Sequence, residues 1–96
     1  MMRLRWTEPA LSDIERIYAW HASNSEQGAV KLINRLRDSA ESLATLPMQG
    51  RPGRIRGTRE LVVSGSDYLI LYQLTEDAVE LLRVIHTRQQ WPPEQR

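Results

Sequence analysis

Four arginines stand close together between residues 50 and 63, and their type and spacing suit the binding of anions. They are Arg51, Arg54, Arg56 and Arg59. A guanidinium group presents a planar fork of N–H donors that matches the oxygens of a carboxylate or a phosphate. Clustered like charges also repel one another unless an anion lies among them. We therefore expect a surface that contacts an anionic partner; the alternative is a solvated loop whose arginines pair with scattered acids.

His86 is the side chain in the second half of the chain best suited to acid–base chemistry, because histidine exchanges a proton near neutral pH. Cleavage of RNA without a metal needs a base, an acid and cations around the phosphate. Arg59 fits the last role and Arg83 could assist, although strict alternation along a strand places Arg83 on the face opposite to His86. Glu60 follows Arg59 in a strand and should point away from it. The alternative for His86 is a strand-end histidine bonded to the backbone.

Composition restricts the remaining chemistry. The 96 residues carry a net charge of +1 at pH 7 and include no cysteine, so disulfides and thiolate sites are excluded. His21 and His86 lie far apart without ligand spacing around them, and we expect neither a metal nor a cofactor. No apolar run approaches the roughly 20 residues of a membrane-spanning helix, and the N-terminus lacks the pattern of a secretory signal. These features predict a cytoplasmic protein without a membrane partner.

Two helices are predicted in the first half of the chain. Thr7 can cap a helix that runs over residues 8–22, where apolar residues recur at helical spacing. A second helix begins after a cap at Asn24 or Ser25 and ends at Pro47. Because the loop between the two helices is short, they should lie antiparallel as a hairpin.

Four strands are predicted around the hairpin, one before it and three after it. They cover residues 2–6, 59–63, 68–74 and 79–87. The stretch before the second strand contains Gly50, Pro52, Gly53 and Gly57, which we expect to keep it irregular. Short turns make the last three strands an antiparallel meander. The near-continuous apolarity of residues 68–74 predicts a central strand covered on both faces.

The resulting order is β-α-α-β-β-β in a single domain of residues 1–96. It predicts an α+β fold in which the helix hairpin packs on one face of a small, mostly antiparallel sheet. The other face is expected to stay partly bare, and exposed apolar strand surface of this kind favours a partner. Trp91, in the tail, could stack on a nucleic-acid base or dock back on the sheet edge.

This order and several local motifs together resemble the RelE/ParE superfamily of toxins from type II toxin–antitoxin modules. The matching segments are residues 4–10, 13–14, 46–47, 50–51, 57–62, 68–72 and 84–92. The resemblance implies a growth inhibitor that a cognate antitoxin holds silent by wrapping a segment over it. It also implies that operator DNA is bound only through the antitoxin.

The resemblance leaves two mechanisms open. RelE-like members enter the ribosomal A site and cut mRNA, and in that branch Arg59 and His86 would be the catalytic residues. However, the loop lysines and the tyrosine near the C-terminus that many RelE-like members carry have no counterpart here. ParE-like members bind DNA gyrase and trap it on cleaved DNA without known catalysis of their own. Whether the chain is an enzyme therefore depends on the branch.

The ending His86-x-Arg88 and the strand that begins at Arg59 look closer to ParE-like sequences, and we prefer that branch. The residues expected to contact the antitoxin or the target are then Arg51, Arg54, Arg56, Arg59, Arg83, Arg88 and Trp91. The RelE-like endoribonuclease remains the alternative, with the ribosome and mRNA as its target. A third interpretation is a small adaptor that binds an acidic partner and has no toxic activity.

Overall fold

The helices and strands follow one another in the predicted order, with one short strand added. The computed structural model describes residues 1–93. Its elements are β1 (Arg3–Trp6), α1 (Glu8–Ala22), α2 (Glu26–Thr45), β2 (Arg51–Pro52), β3 (Arg59–Val62), β4 (Tyr68–Leu74) and β5 (Ala78–His86). Neither helix is both long enough and apolar enough to cross a bilayer within the part of the chain that the structure describes.

Side-chain caps fix where both helices begin. The Thr7 hydroxyl accepts a hydrogen bond from the Ala10 amide in the first turn of α1. The Ser25 hydroxyl accepts one from the Gly28 amide at 3.0 Å in the first turn of α2. Such caps satisfy amides that have no partner within the helix. Of the two candidates for the second cap, Ser25 takes the role and Asn24 does not.

The five strands form one sheet in the order β1-β5-β4-β3-β2. β1 runs parallel to β5, whereas the other three neighbouring pairs are antiparallel. β4 lies at the centre, as its continuous apolarity predicts, and its first five residues are all buried. The α+β class, with a helix hairpin on one face of a mostly antiparallel sheet, is confirmed.

β2 is the element that the sequence did not predict. Arg51 pairs with Glu60 and Pro52 with Arg59 in an antiparallel bridge. The expectation that glycine and proline keep this whole stretch irregular was therefore wrong. Proline is tolerated because β2 is an edge strand, where one missing N–H leaves no inner neighbour unpaired. The pairing fixes the start of the arginine-rich stretch against β3.

The main apolar core lies between the helix hairpin and one face of the sheet. Each helix turns one stripe of small and branched residues towards the strands. The largest side chains that are fully buried there are Leu36, Leu43, Ile70, Tyr72 and Leu81. This packing holds α1 against β5, which matters for the polar groups described below.

The second face of the sheet carries a smaller apolar cluster that the chain itself covers. Its buried members are Leu69, Leu71 and Ile85, none more than 3% exposed. Leu82 and Trp91 pack against them. The expectation of a partly bare face was therefore wrong for the centre of the sheet, because the tail returns over it. Towards the edge, Val62 is still half exposed.

A β-bulge interrupts the pairing of β4 and β5. Beyond Leu71 the register shifts by one residue, so that Leu82 has no residue opposite it. An inserted residue changes the alternation of side chains along the strand. Arg83 follows the bulge, and its side chain reaches Asp13 on α1 and borders the same pocket as His86. The expectation that Arg83 and His86 lie on opposite faces was therefore wrong for their side-chain ends, because the long Arg83 side chain extends to the Asp13 carboxylate on the helix side of the sheet.

Candidate partner-binding surface

Glu60 organises the arginine-rich stretch. Its side chain is buried, and both carboxylate oxygens accept hydrogen bonds from the loop that precedes β3. The Arg54 amide donates to Oε2 at 2.9 Å and the Arg54 Nη2 to Oε1 at 3.0 Å. Arg51 Nη2 adds a longer bond of 3.4 Å to Oε1. The two arginines therefore converge on a single buried acid, where the sequence suggested either a free cationic cluster or scattered acids.

The ionisation of Glu60 follows from these bonds. Burial by itself raises the pKa of the Glu60 carboxyl, but the hydrogen bonds and charge of Arg54, helped by Arg51, outweigh it. The net result is a pKa below the ordinary value for glutamate, so the group is ionised at neutral pH. Arg51 and Arg54 remain partly exposed around it, with 63% and 46% of their side-chain surfaces open.

Arg54 also joins the loop to the C-terminal tail. Arg54 Nη1 donates a 2.9 Å hydrogen bond to the backbone carbonyl of Trp91. The Trp91 ring packs against the apolar cluster on the second face of the sheet. Of the two roles considered for Trp91, the structure places it as a cover on the sheet. Loop, tail and β3 thus form one continuous surface, which we name the Glu60 surface.

Arg56 and Arg88 have a different environment from Arg51 and Arg54. Both are exposed, and among residues 1–93 neither guanidinium group has a hydrogen-bonded or ion-paired partner within the chain. Arg56 lies in the turn between β2 and β3, and Arg88 follows β5 directly. These two side chains keep their full charge available at the surface.

Arg59 is engaged in holding the backbone. Its Nε donates to the Gly50 carbonyl at 2.9 Å and its Nη2 to the Met48 carbonyl at 3.3 Å. Arg59 and its neighbour Glu60 point to opposite sides of β3, as alternation predicts. The guanidinium group of Arg59 therefore links β3 to the segment that leaves α2.

His86 bonds to the backbone at the end of β5. Its Nδ1 accepts a hydrogen bond from the Arg88 amide at 3.1 Å, and its ring packs edge-on against Tyr68 at a centroid distance of 5.2 Å. On the other side, the Tyr68 hydroxyl lies 3.0 Å from His21 Nε2. This arrangement matches the alternative that the sequence offered for His86.

The two candidate catalytic residues are not brought together. In the sheet, His86 is opposite Tyr68, and Arg59 is opposite Tyr72 on the other side of β4. Four residues of an extended strand span about 13 Å. An acid or base and the cation that stabilises the same phosphate must lie within hydrogen-bond reach of one reacting group. At these positions in the sheet, Arg59 and His86 are too far apart to meet that requirement.

Arg83 forms a partly buried ion pair with the buried Asp13 on the helix side of the sheet. Its Nε and Nη2 donate to the two oxygens of Asp13 at 2.7 and 3.0 Å. The Val84 amide donates to Asp13 Oδ2 at 2.9 Å, and Arg16 also bonds the carboxylate. Burial alone raises the pKa of Asp13, but these bonds outweigh it and lower the net pKa. The pKa of Arg83 is raised in return, chiefly by its hydrogen bonds to Asp13.

Asp13 and Glu60 are the two residues whose importance the sequence analysis missed. A signal was present for Asp13, because it lies three residues after Ala10 and four before Ile17, within the apolar stripe of α1. A charged residue in such a stripe is buried only when it is paired. For Glu60 the only signal was its place in a strand beside many arginines. Among residues 1–93, no three His, Asp or Glu side chains gather in a group that could hold a metal ion.

Two solved chains from toxin–antitoxin systems share this architecture. A chain of the chromosomal ParDE system from P. aeruginosa matches with a TM-score of 0.83 and 22% identity, over 90% of this chain and 96% of that one. A chain of the RelBE2 toxin–antitoxin complex from Mycobacterium tuberculosis matches with a TM-score of 0.67 and 22% identity, over 88% and 96%. This chain therefore shares its hairpin-on-sheet fold with chains from both of these toxin–antitoxin systems.

Sequence comparisons identify the protein family to which the chain belongs. Residues 4–91 match the family model of the ParE toxin of the type II toxin–antitoxin system parDE. The putative toxin Y4kP of Sinorhizobium fredii is 41% identical over 90 residues, covering 94% of this chain and 93% of that protein. Toxin RelE2 of Caulobacter vibrioides is 34% identical over 86 residues, covering 90% and 96%. The chain belongs to the ParE toxin family of type II toxin–antitoxin systems.

Proposed function

We propose that this toxin inhibits growth in the cytoplasm by binding DNA gyrase, and that a cognate antitoxin silences it by binding over its surface. In this proposal the toxin needs no catalytic residue. Operator DNA is contacted only through the antitoxin. The family description and the toxin–antitoxin systems of the matched solved chains support an antitoxin as partner.

The position of Arg59 is the observation that carries the proposal. A cation that stabilises a cleaved phosphate must keep its N–H donors free for that phosphate. Arg59 instead commits two of its five N–H donors, including Nε, to the carbonyls of Gly50 and Met48, which orients its guanidinium towards the segment that leaves α2. His86 lies about 13 Å further along the sheet. This arrangement favours a toxin that acts by binding.

The exposed cations favour a macromolecular target. Arg56 and Arg88 have no partner among residues 1–93, and Arg51 and Arg54 are held in place with about half of their side-chain surfaces open. Arginine is enriched among the residues that dominate binding energy at protein interfaces. Preorganised arginines beside an apolar tryptophan suit an acidic protein surface, with or without DNA.

A supercoiling assay tests the proposal directly. Purified wild-type chain is titrated into gyrase with relaxed plasmid, and we expect supercoiling to stop at near-stoichiometric toxin. The double variant Arg56→Gln/Arg88→Gln should weaken inhibition by about tenfold, because interface arginines carry much of the binding energy. A matched control removes two exposed cations elsewhere, Arg3→Gln/Lys31→Gln, and should inhibit like the wild type. Normal supercoiling in toxin excess would overturn the proposal.

The RelE-like alternative has support of its own, because Toxin RelE2 is 34% identical and the RelBE2 chain shares the fold. In that case induced cells should show new breaks in mRNA at ribosome positions, read by primer extension. Arg59→Lys and His86→Gln should then abolish the breaks while the folded protein still accumulates. Intact messages during growth arrest, together with blocked supercoiling, would leave gyrase as the target.

A further inference from the structure

A polar pocket of about 230 Å³ lies where α1 meets the end of β5, away from the Glu60 surface. Side chains with charge or hydrogen-bonding groups dominate its wall. Its lining includes Asp13, Arg16, Trp20, Arg83, His86 and Gln89. The proposed gyrase-binding mechanism gives this pocket no role.

The one carboxylate in the pocket has no acceptor capacity left to offer. Asp13 receives two bonds from Arg83, one from the Val84 amide and one from Arg16. Four bonds saturate the lone pairs of a carboxylate. Asp13 therefore holds two guanidinium groups close together. Its oxygens already accept hydrogen bonds and present no free lone pairs to an incoming anion.

The other groups leave mainly donors at the wall. Arg83 uses two of its five N–H groups on Asp13 and Arg16 uses one, so both residues, which line the pocket, keep N–H donors that Asp13 does not occupy. His86 Nδ1 accepts from the Arg88 amide, so the proton of the neutral ring resides on Nε2, which is then a donor. A wall of donors around a saturated acid fits an oxyanion as ligand.

The charge around the pocket favours a single carboxylate over a nucleic-acid backbone. Two guanidinium groups and one carboxylate leave one net positive charge. Burial, and to a lesser extent the charge of Asp67, raises the pKa of Tyr68 at the pocket wall. One net positive charge matches a single carboxylate, whereas a nucleic-acid backbone brings one negative charge with every phosphate.

Trp20 supplies an apolar contact beside the oxyanion position. It follows Arg16 by one helical turn, so both side chains lie on the same stripe of α1. Trp20 is 75% exposed, although tryptophan is highly buried on average. An indole next to a donor-lined pocket suits a peptide segment in which an acid adjoins a large apolar residue.

We propose that this pocket binds an aspartate or glutamate side chain of the cognate antitoxin, with a neighbouring apolar side chain packed on Trp20. The inference rests on the proposed function, because it names a contact of the same silencing partner. It gives the antitoxin an anchoring contact at α1 and the end of β5, whereas the arginines of the Glu60 surface are proposed for the target.

The test uses the full-length toxin and the protein encoded by the neighbouring reading frame, with affinity measured by biolayer interferometry. Arg16→Gln and Trp20→Ala should each weaken binding by about tenfold. Both positions are exposed, and Asp13 keeps its bonds from Arg83 and Val84 in the first variant, so both proteins should fold. Lys31→Gln and Met48→Ala, also exposed, are the matched charge and apolar controls and should bind within twofold of wild type.

A double-mutant cycle identifies the ligand group. Each acidic residue of the antitoxin is replaced by its amide, alone and against Arg16→Gln. We expect one acid whose loss costs about tenfold in the wild-type toxin and almost nothing in the Arg16→Gln background. Additive effects for every acid, or unchanged affinity of both toxin variants, would overturn the inference while leaving the proposed function intact.

Two further outcomes separate the hypotheses. Labelled single-stranded DNA that binds the wild-type toxin and is lost with Arg16→Gln, while antitoxin affinity is unchanged, would assign the pocket to nucleic acid and overturn our inference. If the wild-type toxin does not bind the neighbouring protein at all, the antitoxin part of the proposed function fails and the inference falls with it.

Discussion

Asp13 and Arg83 are 70 residues apart in sequence, and their side chains form a bidentate ion pair that ties α1 to β5. The Val84 amide bonds the same carboxylate, so one acid satisfies donors from both the strand backbone and its side chains. Arg83 directly follows Leu82, the residue that the bulge leaves without a partner on β4. The Asp13–Arg83 pair thus connects the helix layer to the sheet beside an irregular point of the strand.

Replacing this acid should destabilise the protein strongly. Asp13→Asn leaves the partly buried guanidinium of Arg83 without its counter-charge, and we expect the free energy of unfolding to fall by about 2–4 kcal/mol. Urea denaturation followed by circular dichroism measures it. The control is Asp77→Asn, which removes an exposed pair with Arg3 at 3.8 Å and should cost less than about 0.5 kcal/mol. Similar losses in the two variants would contradict the structural role of Asp13.

Stability should fall in acid because of the two buried carboxyls. The folded-state pKa values of Asp13 and Glu60 lie below their reference values of 3.8 and 4.5. The unfolded state therefore binds more protons at these sites once the pH drops below about 5. Their contribution is fully present above that pH and is lost as the pH falls through the folded-state values.

Urea midpoints at pH 7, 5, 4 and 3 would measure this dependence. Each group can contribute a slope of at most about 1.4 kcal/mol per pH unit. Asp13→Asn/Glu60→Gln should flatten the curve between pH 5 and 3, whereas the exposed Glu76→Gln should leave its shape unchanged. A wild-type curve that is flat in this range would show that neither carboxyl is stabilised in the folded state.

Loss of the Glu60 carboxylate should release the arginine loop and the tail together. With Glu60→Gln, Arg54 loses its ionic partner. Its side chain is then no longer held in place to donate a hydrogen bond to the Trp91 carbonyl. Limited trypsin digestion should then cut after Arg54 and Arg56 at least several times faster than in the wild type, since cleavage follows the population of the open loop. Mass spectrometry identifies the sites.

The control for that experiment is Glu80→Gln. Glu80 also bonds an arginine, Arg5, but it lies on β5, and its hydrogen-bond partners Arg5 and Gln73 are both outside the loop. Its replacement should leave the cleavage rates after Arg54 and Arg56 unchanged. Equal acceleration in both variants would mean that global stability, and not the Glu60 contacts, protects the loop.

The sequence predicts those features that depend on local periodicity. Helical spacing, the caps at Thr7 and Ser25 and the apolar run from Tyr68 to Leu74 were enough to place both helices and the central strand. Each depends on residues within a few positions of one another, where side-chain direction follows directly from secondary structure.

The features that the sequence did not predict depend on contacts between residues that are far apart in the chain. The pairing of Arg51 with Glu60, the turn of Arg83 towards Asp13 and the return of the tail over the sheet join segments that local patterns do not relate. The number and spacing of the arginines predicted a cationic surface in this part of the chain, and its role in binding stays a prediction. The sequence did not reveal that the buried Glu60 binds Arg51 and Arg54, or that Arg59 donates hydrogen bonds to backbone carbonyls.

Gly50 marks a junction that tolerates no side chain. Its amide donates to the Tyr72 hydroxyl at 2.9 Å, and that hydroxyl donates to the Pro47 carbonyl at 2.7 Å. A Cβ atom on Gly50 would lie 2.7 Å from the Tyr72 oxygen and 2.8 Å from the Glu60 carbonyl. Gly50→Ala should therefore lower the free energy of unfolding by about 2–3 kcal/mol, because the backbone and a buried ring must move apart.

Tyr72→Phe tests the hydrogen bonds at that junction without adding volume. It leaves the Gly50 amide and the Pro47 carbonyl without their partner and should cost about 1–3 kcal/mol. Tyr18→Phe is the control, since the Tyr18 hydroxyl makes only a 3.5 Å exposed contact with Glu26, and its loss should cost less than about 0.5 kcal/mol. Chemical denaturation of the three variants decides the matter. If Tyr72→Phe were as stable as Tyr18→Phe, the hydroxyl would not be what anchors the segment leaving α2 to the centre of the sheet.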